Sequence, residues 1–128
     1  MSRKTVFTPL APKAIGPYSQ AIVSNGMVFT AGQIPIDPAT GEIISGDFKD
    51  RVDRVLQNIF EILIAAGSDR GKIVKLSVFL TDLGKFSQVN EVFQKHFTEV
   101  EPPARSAVEV AGLPLGVDVE IECIASVE

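Results

Sequence analysis

The sequence contains very few of the side chains that build disulfides, zinc sites and serine–histidine active centres. Among 128 residues there is one cysteine, Cys123, and one histidine, His96. A single cysteine excludes an intrachain disulfide and a cysteine-based metal cluster. A zinc site would have to be built almost wholly from carboxylates, which is uncommon. We therefore expect no metal site, and a serine–histidine pair would have only His96 to draw on.

Long apolar runs and an excess of positive charge are also missing. No apolar run is long enough to span a bilayer, and Met1–Thr5 is followed by no hydrophobic leader region. We therefore expect a cytoplasmic protein with no membrane partner. Twelve basic and sixteen acidic residues give a net charge of −4, which repels phosphate backbones and argues against a nucleic-acid partner.

The composition is that of an ordinary globular chain. Apolar residues make up 45% and charged residues 22% of the sequence, and neither a repeat nor a linker divides it. A chain of 128 residues can bury a sizeable core. The sequence predicts one domain over residues 1–128.

The first half of the chain begins with a hairpin signal. Asn25-Gly26 lies between the β-prone runs Ala21–Ser24 and Met27–Thr30, and both positions of a two-residue hairpin turn favour positive φ. The prolines and glycines of Gln33–Gly46 predict a loop with at most a short strand at Glu42–Ile44.

Two amphipathic helices flank a buried strand. The first helix is predicted to begin after an Asp47 N-cap and to end at Gly67. Ile73–Leu80 is rich in β-branched residues and predicts a buried strand. The second helix runs from about Lys85 to Thr98 and is stopped by Pro102-Pro103. The apolar positions that recur at steps of three and four are Phe48, Val52, Val55, Leu56, Ile59, Phe60 and Leu63 in the first helix, and Phe86, Val89, Val92, Phe93 and Phe97 in the second.

Two alternating strands, Arg105–Val110 and Val117–Val127, complete the chain. The order ββ–α–β–α–ββ predicts an α+β sandwich, with both helices on one face of a mostly antiparallel or mixed sheet. Many positions on the other face are apolar, so we expect a partner subunit to cover that face.

The last two strands carry a charged pattern that has two interpretations. If they pair as a hairpin across Ala111–Gly116, Arg105 lies opposite Glu122 and diagonal to Glu120. A guanidinium can bind a substrate carboxylate through two hydrogen bonds, and a nearby carboxylate can hold a water and accept its proton. The same residues also fit a cross-strand salt bridge on a solvated surface, with Glu122 as a structural partner of Arg105. The pattern alone leaves both interpretations open.

Pro103–Pro114 followed by Val119–Glu122 resembles the C-terminal signature of the Rid (YjgF-type) family. Similar stretches follow in the family's order along nearly the whole chain: Ala14–Gln20, Ala31–Pro35, Gln57-Asn58, Val78–Leu83 and Val89–Phe93. Their shared order and spacing, rather than any one of them, carry the resemblance.

The resemblance implies a chorismate-mutase-like α+β fold and a homotrimer. In that assembly three sheets pack into a central barrel and three active clefts lie between subunits. It further implies hydrolysis of 2-iminobutanoate and 2-iminopropanoate to 2-keto acids and ammonia, without a cofactor. Small imino and keto acids are then the expected ligands.

The resemblance also implies roles for individual residues. Arg105 matches the arginine that binds the substrate carboxylate, and Glu120 matches the glutamate that orients or activates the attacking water. Tyr18 matches a cleft-lining tyrosine, and Gly32 matches a glycine whose backbone approaches the ligand. Asn90 matches a polar residue near the cleft, and the backbone amide of Ala107 matches one that assists the arginine.

The chain departs from the family pattern at two positions. Relatives often carry cysteine where this chain has Ala107 and serine where it has Ala31. These losses favour a first alternative, a small-ligand-binding or regulatory trimer that does not turn its ligand over. A second alternative is a ribonuclease or translation inhibitor, an activity ascribed to some relatives, which the acidic balance and the lone histidine oppose.

Several of these residues also fit plain structural roles. Tyr18 could pack at a strand end, and Gly32 could serve a bend. His96, near a helix C-terminus, is predicted to be a surface residue in a position that suits a cation. Cys123, on an apolar strand face, is predicted to be buried core.

Overall fold

A computed structural model describes residues 2–127, and residues 1 and 128 of the predicted domain lie outside that range. Its main feature is a six-stranded sheet with two helices on one face. In chain order the elements are β1 (Lys4–Val6), β2 (Ala21–Ser24), β3 (Met27–Thr30), β4 (Ile36–Asp37), β5 (Glu42–Ile43), α1 (Phe48–Ala65), β6 (Ile73–Leu80), α2 (Phe86–His96), β7 (Ala104–Glu109) and β8 (Val119–Ser126).

The sheet is mixed, as predicted. Its strands lie in the order β1-β2-β3-β8-β6-β7, and only β6 and β7 run parallel. β4 and β5 form a separate two-stranded hairpin. The predicted α+β class is therefore confirmed, whereas the sequence analysis did not anticipate β1 or β4. No helix in the part of the chain that the structure describes is both long and apolar enough to cross a membrane.

The locally encoded elements form where the sequence predicts them. Asn25 and Gly26 both have positive φ, at 51° and 74°, and join β2 to β3. Asp47 caps α1, because its side chain accepts a hydrogen bond from the Asp50 amide while the Asp50 side chain accepts one from the Asp47 amide. The predicted strand Ile73–Leu80 is β6 without change.

The core lies between the helices and the sheet. Cys123 is 3% exposed, and burial raises the pKa of its thiol to about 12, so the prediction that it is buried core is confirmed. The largest fully buried side chains come from α1, β6 and β8, and they include Leu56, Ile59, Ile62, Leu63, Leu76, Leu80 and Ile121.

The predicted hairpin between the last two strands is wrong. β6 lies between β7 and β8, so Arg105 pairs with Leu76 and Leu76 pairs with Cys123. Phe79 on β6 likewise lies between Glu120 on β8 and Val108 on β7. The connection through α2 is the crossover that a parallel β6–β7 pair requires. β8, with a buried residue at every second position, takes a central place with partners on both edges.

This topology puts Arg105 and Glu120 on opposite faces of the sheet. Side chains in one row of a sheet share a face, and Arg105 shares its row with the buried Leu76 and Cys123, so it faces the helices. Glu120 lies one position from the buried Val119 and faces the other way. The proposed contact between Arg105 and Glu120 within one chain is therefore wrong, and so is the pairing of Arg105 with Glu122.

The face without helices carries exposed apolar side chains. Phe29 is 44% exposed and Val108 is 46% exposed, and Phe79 and Ile124 beside them are half-buried. Among residues 2–127 no helix packs on this face, since α1 and α2 both cover the other one. β7 forms one free edge of the sheet.

Candidate active site

Arg105 lies in the first of two cavities that contain predicted site residues. Its guanidinium carbon is 4.8 Å from the ring centroid of Phe86 and 5.1 Å from that of Phe93, both on α2. The cavity has a volume of about 660 Å³, and Asn90, Gln94 and Thr98 supply its other polar side chains beside Arg105. We call this cavity the arginine cleft.

The guanidinium of Arg105 has no counter-ion within the described chain. No carboxylate of residues 2–127 lies within 4.0 Å of it, and it donates no hydrogen bond to another side chain or to a carbonyl there. Desolvation by partial burial lowers the pKa of Arg105. All its N–H donors therefore remain available for a ligand.

Glu120, Tyr18 and Gly32 line the second cavity, which we call the glutamate pocket. Its volume is about 450 Å³. Most of its wall is apolar and comes from three loops, in addition to the predicted residues: Pro12, Ile15, Ala31, Ile34, Ile36, Pro114 and Leu115. Glu120 is thus the one acidic group in a largely apolar pocket.

The glycine at position 32 makes room for the Glu120 carboxylate. Gln33 and Ile121 exchange two backbone hydrogen bonds, of 2.8 and 3.1 Å, which fix the loop after β3 beside β8. A Cβ atom built on Gly32 would overlap the Glu120 carboxylate. Gly32 therefore has a steric role beyond a simple bend, and its predicted contact with a ligand stays a prediction.

The Glu120 carboxylate is unpaired among residues 2–127. No side-chain hydrogen bond or salt bridge to it occurs there. Burial raises the pKa of Glu120 above the usual glutamate value, and the charge of Glu122 raises it further. A desolvated carboxylate with a raised pKa is a stronger proton acceptor than an ordinary glutamate carboxylate.

Tyr18 contributes a half-exposed ring to the same pocket. Its hydroxyl accepts a hydrogen bond of 3.2 Å from the Ile15 amide, and 52% of the residue is exposed. Leu115 also lines this pocket; it is 67% exposed and has a φ of 57°, which is unusual for a leucine.

Ala107 turns its side chain toward the core and its amide toward the free edge of β7. The Val110 amide donates to Leu80 O at 2.8 Å. Because successive amides of a strand point to opposite edges, the amides of Arg105 and Ala107 point away from β6. The methyl group of Ala107 leaves that amide unobstructed, which is compatible with the predicted carboxylate contact.

Two buried amide side chains that support the pocket were not predicted. Gln20 donates to Thr8 O, Ala11 O and Pro12 O and accepts from the Thr8 amide, and it thereby shapes the first loop of the pocket. Asn58 on α1 donates to Ile34 O and Ile36 O, at 3.3 and 3.0 Å. The available signal was a polar residue on the apolar face of α1, three residues after Val55 and four before Ile62.

His96 is not the surface residue that the sequence predicted. Its side chain is 10% exposed and its Nε2 lies 2.6 Å from the Asp53 carboxylate, while its ring packs edge-on against Phe60. It does lie at the C-terminal end of α2, as predicted, although the helix ends at His96 rather than near Thr98. The contact ties α2 to α1 and lies outside both cavities.

The six predicted site residues therefore form two groups rather than one. Arg105, Asn90 and Ala107 belong to β7 and α2, on the helix side and free edge of the sheet. Tyr18, Gly32 and Glu120 belong to the glutamate pocket. No cluster of three or more potential metal-ligating side chains lies in residues 2–127.

Comparison with known proteins supports the fold and the family. The model of the endoribonuclease L-PSP family matches residues 8–127. A RutC family protein of Pyrococcus abyssi is 51% identical over 125 residues, with 98% of each chain covered. The chloroplastic reactive intermediate deaminase A of Arabidopsis thaliana is 44% identical over 126 residues, covering 98% of this chain and 67% of that protein.

Solved structures show the same architecture. Escherichia coli TdcF with bound serine superposes with a TM-score of 0.93 at 46% identity, covering 98% of this chain and 99% of TdcF. The yjgF gene product of E. coli superposes with a TM-score of 0.92 at 46% identity, covering 96% and 98%. The chain belongs to the endoribonuclease L-PSP family, the YjgF-type and Rid proteins that its sequence motifs indicated.

Proposed function

We propose that this protein hydrolyses reactive 2-imino acids, 2-iminobutanoate and 2-iminopropanoate among them, to 2-keto acids and ammonia. We further propose that it works as a homotrimer, in which the arginine cleft of one subunit faces the glutamate pocket of its neighbour. Free imines released by pyridoxal-phosphate dehydratases in the cytoplasm are then its substrates.

One observation carries this proposal. Each chain holds an unpaired guanidinium and an unpaired carboxylate of raised pKa, on opposite faces of its sheet. Two partly buried charges without a partner among residues 2–127 are groups to which a ligand or a second subunit can supply one. The exposed Phe29 and Val108 support the second subunit.

Two relatives support the substrate class. The A. thaliana relative carries the name reactive intermediate deaminase, and the E. coli TdcF structure contains serine. Serine has the α-carboxylate and α-nitrogen that a 2-imino acid also has. A site that binds such a molecule needs a carboxylate anchor, and Arg105 is a suitable one.

The chemistry requires only groups that this chain has. Arg105 and the Ala107 amide hold the substrate carboxylate, which fixes the C=N carbon close to a water on Glu120. The water oxygen bonds to that carbon as Glu120 takes the proton, and a neutral carbinolamine forms from the N-protonated imine. Glu120 returns the proton to the nitrogen, and the C–N bond breaks with its electron pair going to the nitrogen. The hydroxyl proton passes to the Glu120 carboxylate and then to the departing ammonia, so that the keto acid and ammonium form. A protonated imine is already electrophilic, so these steps need no cofactor.

A coupled assay tests the proposal. Threonine dehydratase generates 2-iminobutanoate, and the protein should accelerate release of ammonia above the spontaneous rate. Arg105→Lys keeps the charge but loses the planar fork, so it should lose most of the acceleration with little change in Tm. Arg70→Lys is the matched control, because Arg70 also lies over a ring, that of Phe60, but outside both cavities.

The outcomes separate three functions. Acceleration by wild type and by Arg70→Lys, but not by Arg105→Lys, supports the deaminase. Binding of 2-oxobutanoate without acceleration would instead support a ligand-binding module. The family description names an endoribonuclease, so labelled RNA should also be incubated with wild type and Arg105→Lys. Cleavage of that RNA, with no effect on imine clearance, would contradict the proposal.

A further inference from the structure

We infer that Phe86 and Phe93 are positioning residues for Arg105. Their rings hold the guanidinium in place while using none of its N–H donors, so the fork stays free for the carboxylate of a substrate. This inference deepens the proposed function and rests on it for the identity of the ligand.

The geometry fits such a role. Phe86 and Phe93 are seven residues apart on α2, about two turns, so both project from the same side of the helix. The guanidinium carbon of Arg105 lies over both rings, at 4.8 and 5.1 Å. Both distances are within the range of a cation–π attraction.

Arg51 and Arg54 are held through hydrogen bonds instead, whereas Arg70 also lies over a ring, that of Phe60. Arg51 donates from Nε and Nη2 to the Asp118 carboxylate and from Nη1 to Gly46 O. Arg54 donates from Nε to the Asn58 side chain. In both of these arginines, hydrogen bonds within the protein occupy N–H donors of the guanidinium. Arg105 makes no such bond among the described residues, although its guanidinium is partly buried.

Aromatic rings can position the Arg105 guanidinium without occupying its N–H donors, whereas a protein carboxylate cannot. A protein carboxylate beside Arg105 would occupy the two donors that a substrate carboxylate needs and would compete with it. A ring face attracts the cation through its quadrupole and leaves the guanidinium edge unoccupied. The rings also remove water from the guanidinium faces, which strengthens its interaction with an incoming anion.

Binding and kinetics of leucine variants measure the contribution of each ring. Phe86→Leu and Phe93→Leu should each raise the Kd for 2-oxobutanoate, measured by calorimetry, by about 3- to 30-fold. The carboxylate is bound equally in ground and transition states, so KM should rise while kcat changes little. Phe86→Tyr keeps an aromatic ring at this half-buried position, so its Kd for 2-oxobutanoate should equal that of the wild type.

Phe60→Leu is the matched control. Phe60 packs against His96 and Phe97 on the same helical layer, but it does not contact Arg105. It should leave the Kd for 2-oxobutanoate unchanged. An equal loss in Phe60→Leu, or a wild-type Kd in both Phe86→Leu and Phe93→Leu, would overturn the inference.

A signal from Arg105 itself separates this inference from the proposed function. The Nε–H resonance of Arg105, assigned as the one missing in Arg105→Lys, should be shifted upfield by the two rings in the free protein. It should move toward the position of a free arginine in Phe86→Leu and stay in Phe60→Leu. A free-arginine position in the wild type would overturn the inference whatever the activity. An upfield resonance in a protein without deaminase activity would overturn the proposed function alone.

Discussion

At the scale of single residues, the proposed role of Glu120 as a general base predicts how the Glu120→Gln substitution changes activity. Glu120→Gln keeps the shape of the side chain but cannot accept the proton of water. Imine clearance should fall by roughly 10²–10⁴-fold, the usual loss when a general base is removed. The Kd for 2-oxobutanoate should change little, because Arg105 remains. Normal clearance in this variant would end the assignment of Glu120 as the base.

The raised pKa of Glu120 also gives this variant a pH-dependent effect on stability. A carboxyl group whose pKa is higher in the folded protein binds more protons when folded, so the wild type loses stability as pH rises through that pKa. Glu120→Gln removes this loss. Its free energy of unfolding should therefore equal or exceed that of the wild type at neutral pH, and the gain should disappear in acid. A loss of stability at neutral pH would indicate a partner for Glu120.

Gly32→Ala tests whether the place of the Glu120 carboxylate matters for activity. The new Cβ would overlap the far end of a flexible side chain, which can turn away, so unfolding should become easier by only about 0.5–1.5 kcal/mol. The displaced carboxylate should cost up to about 100-fold in clearance. Gly112→Ala is the control, since a Cβ there has no atom within 4 Å. Full activity in Gly32→Ala would remove the requirement for this contact.

Residue-scale predictions from the sequence succeeded where a residue's partners are close in the chain. The Asp47 cap depends on Asp50, three residues on, and the burial of Cys123 follows from strand alternation. His96 was misplaced because its partner, Asp53, is 43 residues away. No local pattern reports a contact of that range.

At the scale of elements, α1 supports the wall of the glutamate pocket through Asn58. Asn58→Ala would leave Ile36 O without its side-chain donor and Ile34 O with only the Ile36 amide, at a cost of about 1–3 kcal/mol in the free energy of unfolding. It should also raise KM, because both isoleucines line the pocket. Gln57→Ala, an exposed neighbour on the same helix, should do neither. Chemical denaturation and coupled kinetics on both variants give the answer.

The elements differ in how well the sequence encodes them. The helices and the Asn25-Gly26 hairpin depend on neighbours within a few residues, and all formed near their predicted bounds. The pairing of β7 with β6 does not, because the partners that the register brings together are 29 positions apart in the sequence. Sequence alternation identified both C-terminal strands but carried no information on which strand lies between them, so Arg105 and Glu120 were assigned to one face when they lie on two.

At the scale of the whole molecule, the proposed active site forms only where the arginine cleft of one subunit meets the glutamate pocket of another. A closed three-fold ring would supply that contact three times and cover Phe29 and Val108. Sedimentation should then give a mass of about three times 13.8 kDa. A stable monomer at micromolar concentration would contradict the shared site.

Mixed trimers show whether each active site is shared between two subunits. Arg105→Lys and Glu120→Gln subunits, each inactive alone, are unfolded together in equal amounts and refolded, and imine clearance is measured. Random assembly pairs an intact Arg105 with an intact Glu120 at about one quarter of the sites, so about one quarter of wild-type activity should return. In a second mixture, wild type is combined in equal amounts with the double variant Arg105→Lys/Glu120→Gln. About one quarter of the activity per site should remain if each site is shared, against about one half if each chain holds a complete site. No recovery in the first mixture, with about one half retained in the second, would contradict a site shared between subunits.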